Sequence, residues 1–353
     1  MNVLAFSAGF VLALATGPAA LALPATEAGE VGAGAQTLRY DFYAPARTGP
    51  LPLVLALHGC WEQPRDFEAG TAWFEDARQA GYAVAMPAHP VAPGRDADGC
   101  WRWEDQFRRA DTEMRLLREI VTDVARRVPV DRDRVYVAGM SSGGYAALSL
   151  ALDYPEVFAA VGVASAGERG PCGNGSVDTC DAGILDAARN LEPRAAAAAA
   201  LADVPAAEGA LPAIFIHGDD DELVPEFNLW LGLQTVAIRN DGALGGGAYR
   251  GCFRLWATAY QTYPGDGNRH PYDVYDAMAG DERWVVVHGM KHRWSGGAVS
   301  PASNASNGRN FNDPAGPAAT RLMREFFTAH PRSTRRHAVR DYPANAIGYP
   351  CPQ

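Results

Sequence analysis

Gly139-Met140-Ser141-Ser142-Gly143 sets a serine two residues from a glycine on either side. That G-x-S-x-G spacing can present a hydroxyl as a nucleophile, provided a strand leads in and a helix leads out. The flanks have that character. Arg134-Val135-Tyr136-Val137-Ala138 is rich in β-branched and aromatic types, and Gly143-Gly144 run into the helix-forming stretch Tyr145 to Leu152. Acyl transfer is the chemistry such a serine performs. It needs a base to take the hydroxyl proton, a carboxylate to orient that base, and N–H donors where negative charge develops on oxygen.

In α/β-hydrolase sheets the order along the chain is Ser, then Asp or Glu, then His, so both partners should follow Ser141 on loops at strand ends. A predicted strand, Ala213 to Ile216, is followed by His217-Gly218-Asp219-Asp220-Asp221-Glu222. Three adjacent aspartates leave the choice of carboxylate open, and the same run suits a calcium site or a solvated turn. A later strand ending at Val287 runs into His288-Gly289-Met290-Lys291-His292-Arg293-Trp294-Ser295-Gly296-Gly297. His288 ends the strand, a structural position. His292 lies in the loop, where it can reach Ser141, and His270, His330 and His337 lack such a setting. One oxyanion donor is expected from the Ser142 amide and the other from the turn His58-Gly59-Cys60-Trp61, with Cys60 preferred and Trp61 next.

The elements that must hold these residues read as an α/β chain. Pro50 to Leu57 and Tyr82 to Pro87 are apolar runs suited to strands buried on both faces. Leu38 to Tyr43 alternates like a half-exposed strand. Val157 to Ala164 and Arg283 to Val287 add two more buried strands. Helices are expected over Phe67 to Ala80, Asp111 to Val128 and Thr320 to Phe327, with Met114, Leu117, Ile120, Val121 and Val124 on one face of the second. Strands alternating with helices imply a mostly parallel, doubly wound sheet with helices on both faces. One domain is expected over residues 23–353, its core about 38–330, with a small helical insertion at about 170–209.

The chain of 353 residues carries a net charge of −10, which argues against a nucleic-acid partner. Its first 22 residues are apolar, with Gly17-Pro18 and then Ala20-Leu21-Ala22, as in a secretory signal peptide cut after about Ala22. An uncleaved membrane anchor is the alternative. Export to an extracellular or periplasmic space, with no stable membrane association after cleavage, makes the six cysteines disulfide candidates: Cys60, Cys100, Cys172, Cys180, Cys252 and Cys351. Cys172 and Cys180 suit a local loop, and of the three pairings open to the other four, Cys60 with Cys100 and Cys252 with Cys351 is the one expected. A zinc site lacks any C-x-x-C pair to support it, and no metal or other cofactor is expected.

Several of these segments together resemble one family. Leu57-His58-Gly59-Cys60 followed by Asp66-Phe67, Cys100-Trp101-Arg102-Trp103, and Gly139-Met140-Ser141-Ser142-Gly143-Gly144 are similar to motifs of the polyhydroxybutyrate depolymerase-like esterases, relatives of feruloyl and acetylxylan esterases. His217-Gly218-Asp219-Asp220-Asp221 resembles the family's H-G-x-x-D, whose last residue is the acid, and so implies Asp221. Gly289-Met290-Lys291-His292-Arg293-Trp294-Ser295-Gly296-Gly297 resembles its G-M-x-H-x-W-x-G-G and implies His292. Asp313-Pro314-Ala315-Gly316-Pro317 and the closing helix also match. Lys291 departs from the small residue common there, and Gly232 to Asp266 does not align with the family pattern. The resemblance implies a secreted serine esterase acting on hydroxyalkanoate esters or oligomers, with feruloyl or acetylxylan esters as the alternative. A non-catalytic binding protein of the same fold is the alternative of another class. Trp61, Trp101, Trp103 and Trp294 are candidate walls of the substrate cleft, with a core role equally open for all but Trp294, which lies close to His292 in sequence.

Overall fold

The computed structural model describes residues 26–89 except 35, 98–101, 112–167, 209–243, 256–277 except 258, and 280–335, with residues 201, 204, 205, 337, 347 and 348. The leader up to Ala22, Trp103, Cys172, Cys180, Cys252, Cys351 and nearly all of the segment 170–209 lie outside the described residues.

Ten strands form the main sheet. In chain order they are β1 Glu27–Ala33, β2 Gln36–Tyr43, β3 Leu51–Leu57, β4 Ala83–Ala88, β5 Val130–Met140, β6 Ala160–Ala164, β7 Ala213–Gly218, β8 Ala259–Tyr263, β9 Tyr272–Ala277 and β10 Glu282–Val287. The spatial order is β1-β2-β4-β3-β5-β6-β7-β10-β9-β8. From β4 to β10 every neighbouring pair is parallel. The outer pairs on both sides are antiparallel, so the parallel centre ends in antiparallel edges.

The apolar runs are continuous because the central strands are covered twice. Leu53, Leu55 and Leu57 of β3 and Val135 and Val137 of β5 face one core, with α3 (Thr112–Arg127) and α4 (Ser142–Asp153). Val54, Ala56, Tyr136, Ala138 and Met140 face the other, with α1 (Pro64–Thr71), α2 (Trp73–Ala80) and α6 (Ala319–Ala329). A strand pointing alternate side chains into two cores has no polar face to show.

Two expected elements change their bounds. The helix over Phe67 to Ala80 is two helices, broken at Ala72, which takes a left-handed φ of 54°. The strand placed at Val157 begins only at Ala160, because the amides of Val157 and Phe158 are spent on a turn closed by the Tyr154 carbonyl. Within Gly232 to Asp266, most of α5 (Phe227–Ala243) and edge strand β8 are described. No helix among the described residues is long and apolar enough to cross a membrane.

Candidate active site

Ser141 sits where β5 ends and α4 begins, at φ 54° and ψ −126°, a strained conformation for a residue with a side chain. The surroundings impose it. The Ser141 amide donates to the Ala164 carbonyl of β6 at 3.0 Å, and its carbonyl accepts from Gly144 and Tyr145 as the helix starts. Strand and helix close so tightly that a Cβ at Gly139 would lie 2.1 Å from the Gly143 carbonyl oxygen, and one at Gly143 2.3 Å from that of Leu57. Ser142 takes the first position of α4, where an amide has no partner within its own helix.

The four acidic residues after β7 are sorted by their partners. Asp219 accepts from His288 Nδ1 at 2.8 Å and the Gly289 amide at 2.7 Å. Asp220 and Glu222 face the exposed Lys291 ammonium at 3.5 and 3.1 Å. Asp221 alone turns inward. Its Oδ2 lies 2.8 Å from His292 Nδ1, and its Oδ1 accepts the amides of Leu223 and Val224 at 3.0 and 2.8 Å. Burial pushes the Asp221 carboxyl up, but the His292 hydrogen bond and the neighbouring His292 and His217 rings hold it below the ordinary value. A carboxylate on Nδ1 leaves the Nε2 lone pair of His292 free. His288 has a carboxylate on each nitrogen, Asp219 and Asp273, and those hydrogen bonds raise its pKa against a smaller desolvation effect.

Backbone contact sets the two loops. A Cβ on Gly218 would fall 2.0 Å from the Met290 carbonyl oxygen. Ser165, just past β6, donates its amide to Ile216 and its hydroxyl to the Arg293 carbonyl at 3.3 Å, which ties the His292 loop across the strand end beside Ser141. The His292 ring meets Phe311 edge-on at 6.1 Å, and Phe311 stacks on Trp61 at 6.3 Å.

The turn after β3 is held with equal care. Cys60 is joined to Cys100 by a disulfide, the expected pairing. Trp61 gives its amide to the Asp98 carbonyl and its indole N–H to the Asp98 carboxylate, which leaves no Trp61 amide for an oxyanion. The Cys60 amide has no acceptor among the described residues. His58 Nε2 accepts the His89 amide at 3.3 Å, so its proton sits on Nδ1 and is donated to the Gly59 carbonyl at 2.7 Å. Burial, partly opposed by that hydrogen bond, pushes its pKa down to about 4 and keeps the ring neutral. In a trans peptide the C=O and N–H point in opposite directions. The His58 hold on the Gly59 oxygen therefore aims the Cys60 N–H away from the imidazole.

Trp101 and Trp294 do not wall a cleft. Trp101 is 0% exposed, with its indole N–H on the His58 carbonyl at 2.9 Å. Trp294 is 1% exposed, packed against Phe67 and Trp73, with its N–H on Thr320. Trp61 remains half-buried beside Phe311. Sequence reasoning missed Phe311, Ser165 and Glu62. No motif marks them: Phe311 and Ser165 matter through contacts far along the chain, and Glu62 through a turn contact that its polar neighbours do not signal.

The parallel centre, the strained serine at a strand-to-helix turn, and a carboxylate and histidine on later strand ends define an α/β-hydrolase. A solved acetyl xylan esterase from Aspergillus awamori shares this fold, with a TM-score of 0.56 and 18% identity over 75% of this chain and 94% of that one. The chain belongs to the esterase PHB depolymerase family, whose model matches residues 38–250. Among curated proteins it is similar to poly(3-hydroxyalkanoate) depolymerase C of Paucimonas lemoignei, 30% identical over 110 residues, 31% of this chain and 26% of that protein. It is also similar to feruloyl esterase B of Neurospora crassa, 28% identical over 160 residues, 44% of this chain and 50% of that one. Acetylxylan esterase A of Emericella nidulans is 27% identical over 137 residues, covering 38% and 43%. The matched segments thus span half or less of these relatives.

Proposed function

We propose that the protein is a secreted serine carboxylic-ester hydrolase that cleaves short hydroxyalkanoate esters or oligomers through an acyl-enzyme. The observation that carries this reading is the buried Asp221–His292 Nδ1 pair at 2.8 Å, on the strand ends beside the strained Ser141. His292 Nε2 takes the Ser141 proton as Oγ attacks the ester carbonyl, and Asp221 stabilises the imidazolium. The Cys60 and Ser142 amides receive the oxyanion, each such donor being worth roughly 10²–10³ in rate. The alcohol leaves with the proton from His292. Water, activated by the same ring, then releases the acid.

Feruloyl or acetylxylan ester hydrolysis is the second reading, favoured by the names of two curated relatives and by the fold neighbour. A non-catalytic role leaves a buried, hydrogen-bonded Asp–His pair beside a strained serine unaccounted for. The Cys60–Cys100 disulfide supports an oxidising, exported location. The test is turnover of p-nitrophenyl butyrate, 3-hydroxybutyrate oligomers, methyl ferulate and acetylated xylan by the parent and by Ser141→Ala. The parent should prefer the oligomers, and Ser141→Ala should lose about 10⁴-fold or more in kcat. Retained activity in that variant would remove Ser141 as the nucleophile, and a preference for ferulate or acetylated xylan would select the second reading.

A further inference from the structure

Gly59 sits beside the serine: a Cβ there would make ordinary contact with Ser141 Cβ at 3.4 Å and the Met140 carbonyl oxygen at 3.6 Å, and would lie tight, at 3.1 Å, only against Glu62 Oε2. Glycine is the residue with the widest backbone freedom. Gly59 contributes to both peptides that set the direction of the Cys60 N–H, so its freedom is a direct threat to an oxyanion donor. Something must remove it.

The Gly59–Cys60 peptide is held through its carbonyl by His58 Nδ1. The preceding peptide, His58–Gly59, is held at both ends: its carbonyl by Trp101 Nε1 at 2.9 Å, and its N–H by Glu62 Oε2 at 2.8 Å. Glu62 is 2% exposed, three residues on in the same turn, and the esterase reading gives it no role.

We propose that Glu62 is a positioning residue for ester hydrolysis: by accepting the Gly59 N–H it fixes the backbone of Gly59, and so the direction in which the Cys60 amide meets the oxyanion. This rests on the esterase reading and deepens it. An acceptor is what the turn needs, and either protonation state of the carboxyl supplies one. Burial, offset in part by the Gly59 hydrogen bond and reinforced by the charge of Asp66, pushes the group up to about 7. Below about pH 7 it is therefore mostly uncharged, which lessens the like charge beside the developing oxyanion.

Three variants test this. Glu62→Gln keeps an acceptor oxygen at the same reach. Glu62→Met keeps the length and volume without an acceptor, and Glu62→Ala removes both. With p-nitrophenyl butyrate, Met and Ala should lower kcat about 10–100-fold with KM within about twofold, because the loss falls on an interaction made in the transition state. Gln should restore most of the rate. Thermal melts identify any variant that is not folded, and the Met variant carries the test if Ala is not. Folded Met and Ala variants with parental kcat would overturn the proposal, as would a Gln variant as impaired as Met. Ser141→Ala, run alongside, separates the two failures. An active Ser141→Ala removes the esterase reading and this inference with it, whereas an inert Ser141→Ala beside an unimpaired Glu62→Met removes only the inference.

Discussion

The two sides of Ser141 are built on different physics. On one side, Asp219, Asp220, Asp221 and Glu222 meet His288, Lys291 and His292 across two loops, and the arrangement is one of carboxylates sorted onto imidazole and ammonium partners. On the other, the turn from His58 to Glu62 is held through backbone groups: two peptides gripped by a neutral imidazole, an indole N–H and a buried carboxyl, with a disulfide alongside. In the proposed reaction the first side changes charge, because His292 becomes an imidazolium. The second is asked to stay still when an anion arrives, and hydrogen bonds to backbone serve that better than mobile ionic side chains.

The comparison can be broken at several points. Asp221→Asn should cost the most, about 10⁴-fold in kcat, because the amide no longer holds His292 in the required tautomer. A loss below tenfold would mean that His292 is oriented by something else. Trp101→Phe removes one grip on the His58–Gly59 peptide and leaves a buried carbonyl unpaired; kcat should drop about 3–10-fold with KM unchanged. A change in KM alone would place Trp101 in substrate binding after all.

The two sides should also answer pH with opposite signs. The folded value of Glu62, about 7, lies above its ordinary 4.5. Its share of stability is therefore complete below about pH 4.5 and is lost as pH rises through about 7. Glu62→Gln has no such ionisation, so its Tm relative to the parent should climb by a few degrees between about pH 5 and about pH 8. Asp221 is held below its ordinary 3.8, so its stabilisation is present above that value and disappears as pH falls through the lowered one. The Tm deficit of Asp221→Asn should accordingly shrink in acid. Curves that run parallel for both variants would erase the distinction. Lys291→Met should matter least, changing kcat less than about twofold, since its pairs with Asp220 and Glu222 are solvent-exposed.

How far the sequence could be read follows the same division. β3, β7 and the C-terminal parts of β5 and β10 announce themselves because burial on both faces leaves an unbroken apolar run, and the Ser141 elbow is legible because its crowding demands glycines at fixed offsets. The acidic run was ambiguous from composition. The motif resemblance implies Asp221 and His292, but physically the register of β10 on β7 decides which aspartate meets which histidine, and that register is a contact between segments some 70 residues apart. Edge strand β8 was not foreseen because it is exposed along most of its length and lacks the apolar signal. Glu62, in a polar stretch before a helix, looks like any surface acid until Gly59 is folded against it.

Gly218 gives the Asp221–His292 pair a property of a machined joint: no clearance. The Met290 carbonyl occupies the place where a side chain on residue 218 would begin. The spacing of the two loops is therefore a main-chain dimension, which side-chain substitutions around the pair can decorate but cannot adjust. A change of even one carbon atom at that position would act as a shim, forcing apart both members of the pair at once while leaving each of them chemically intact.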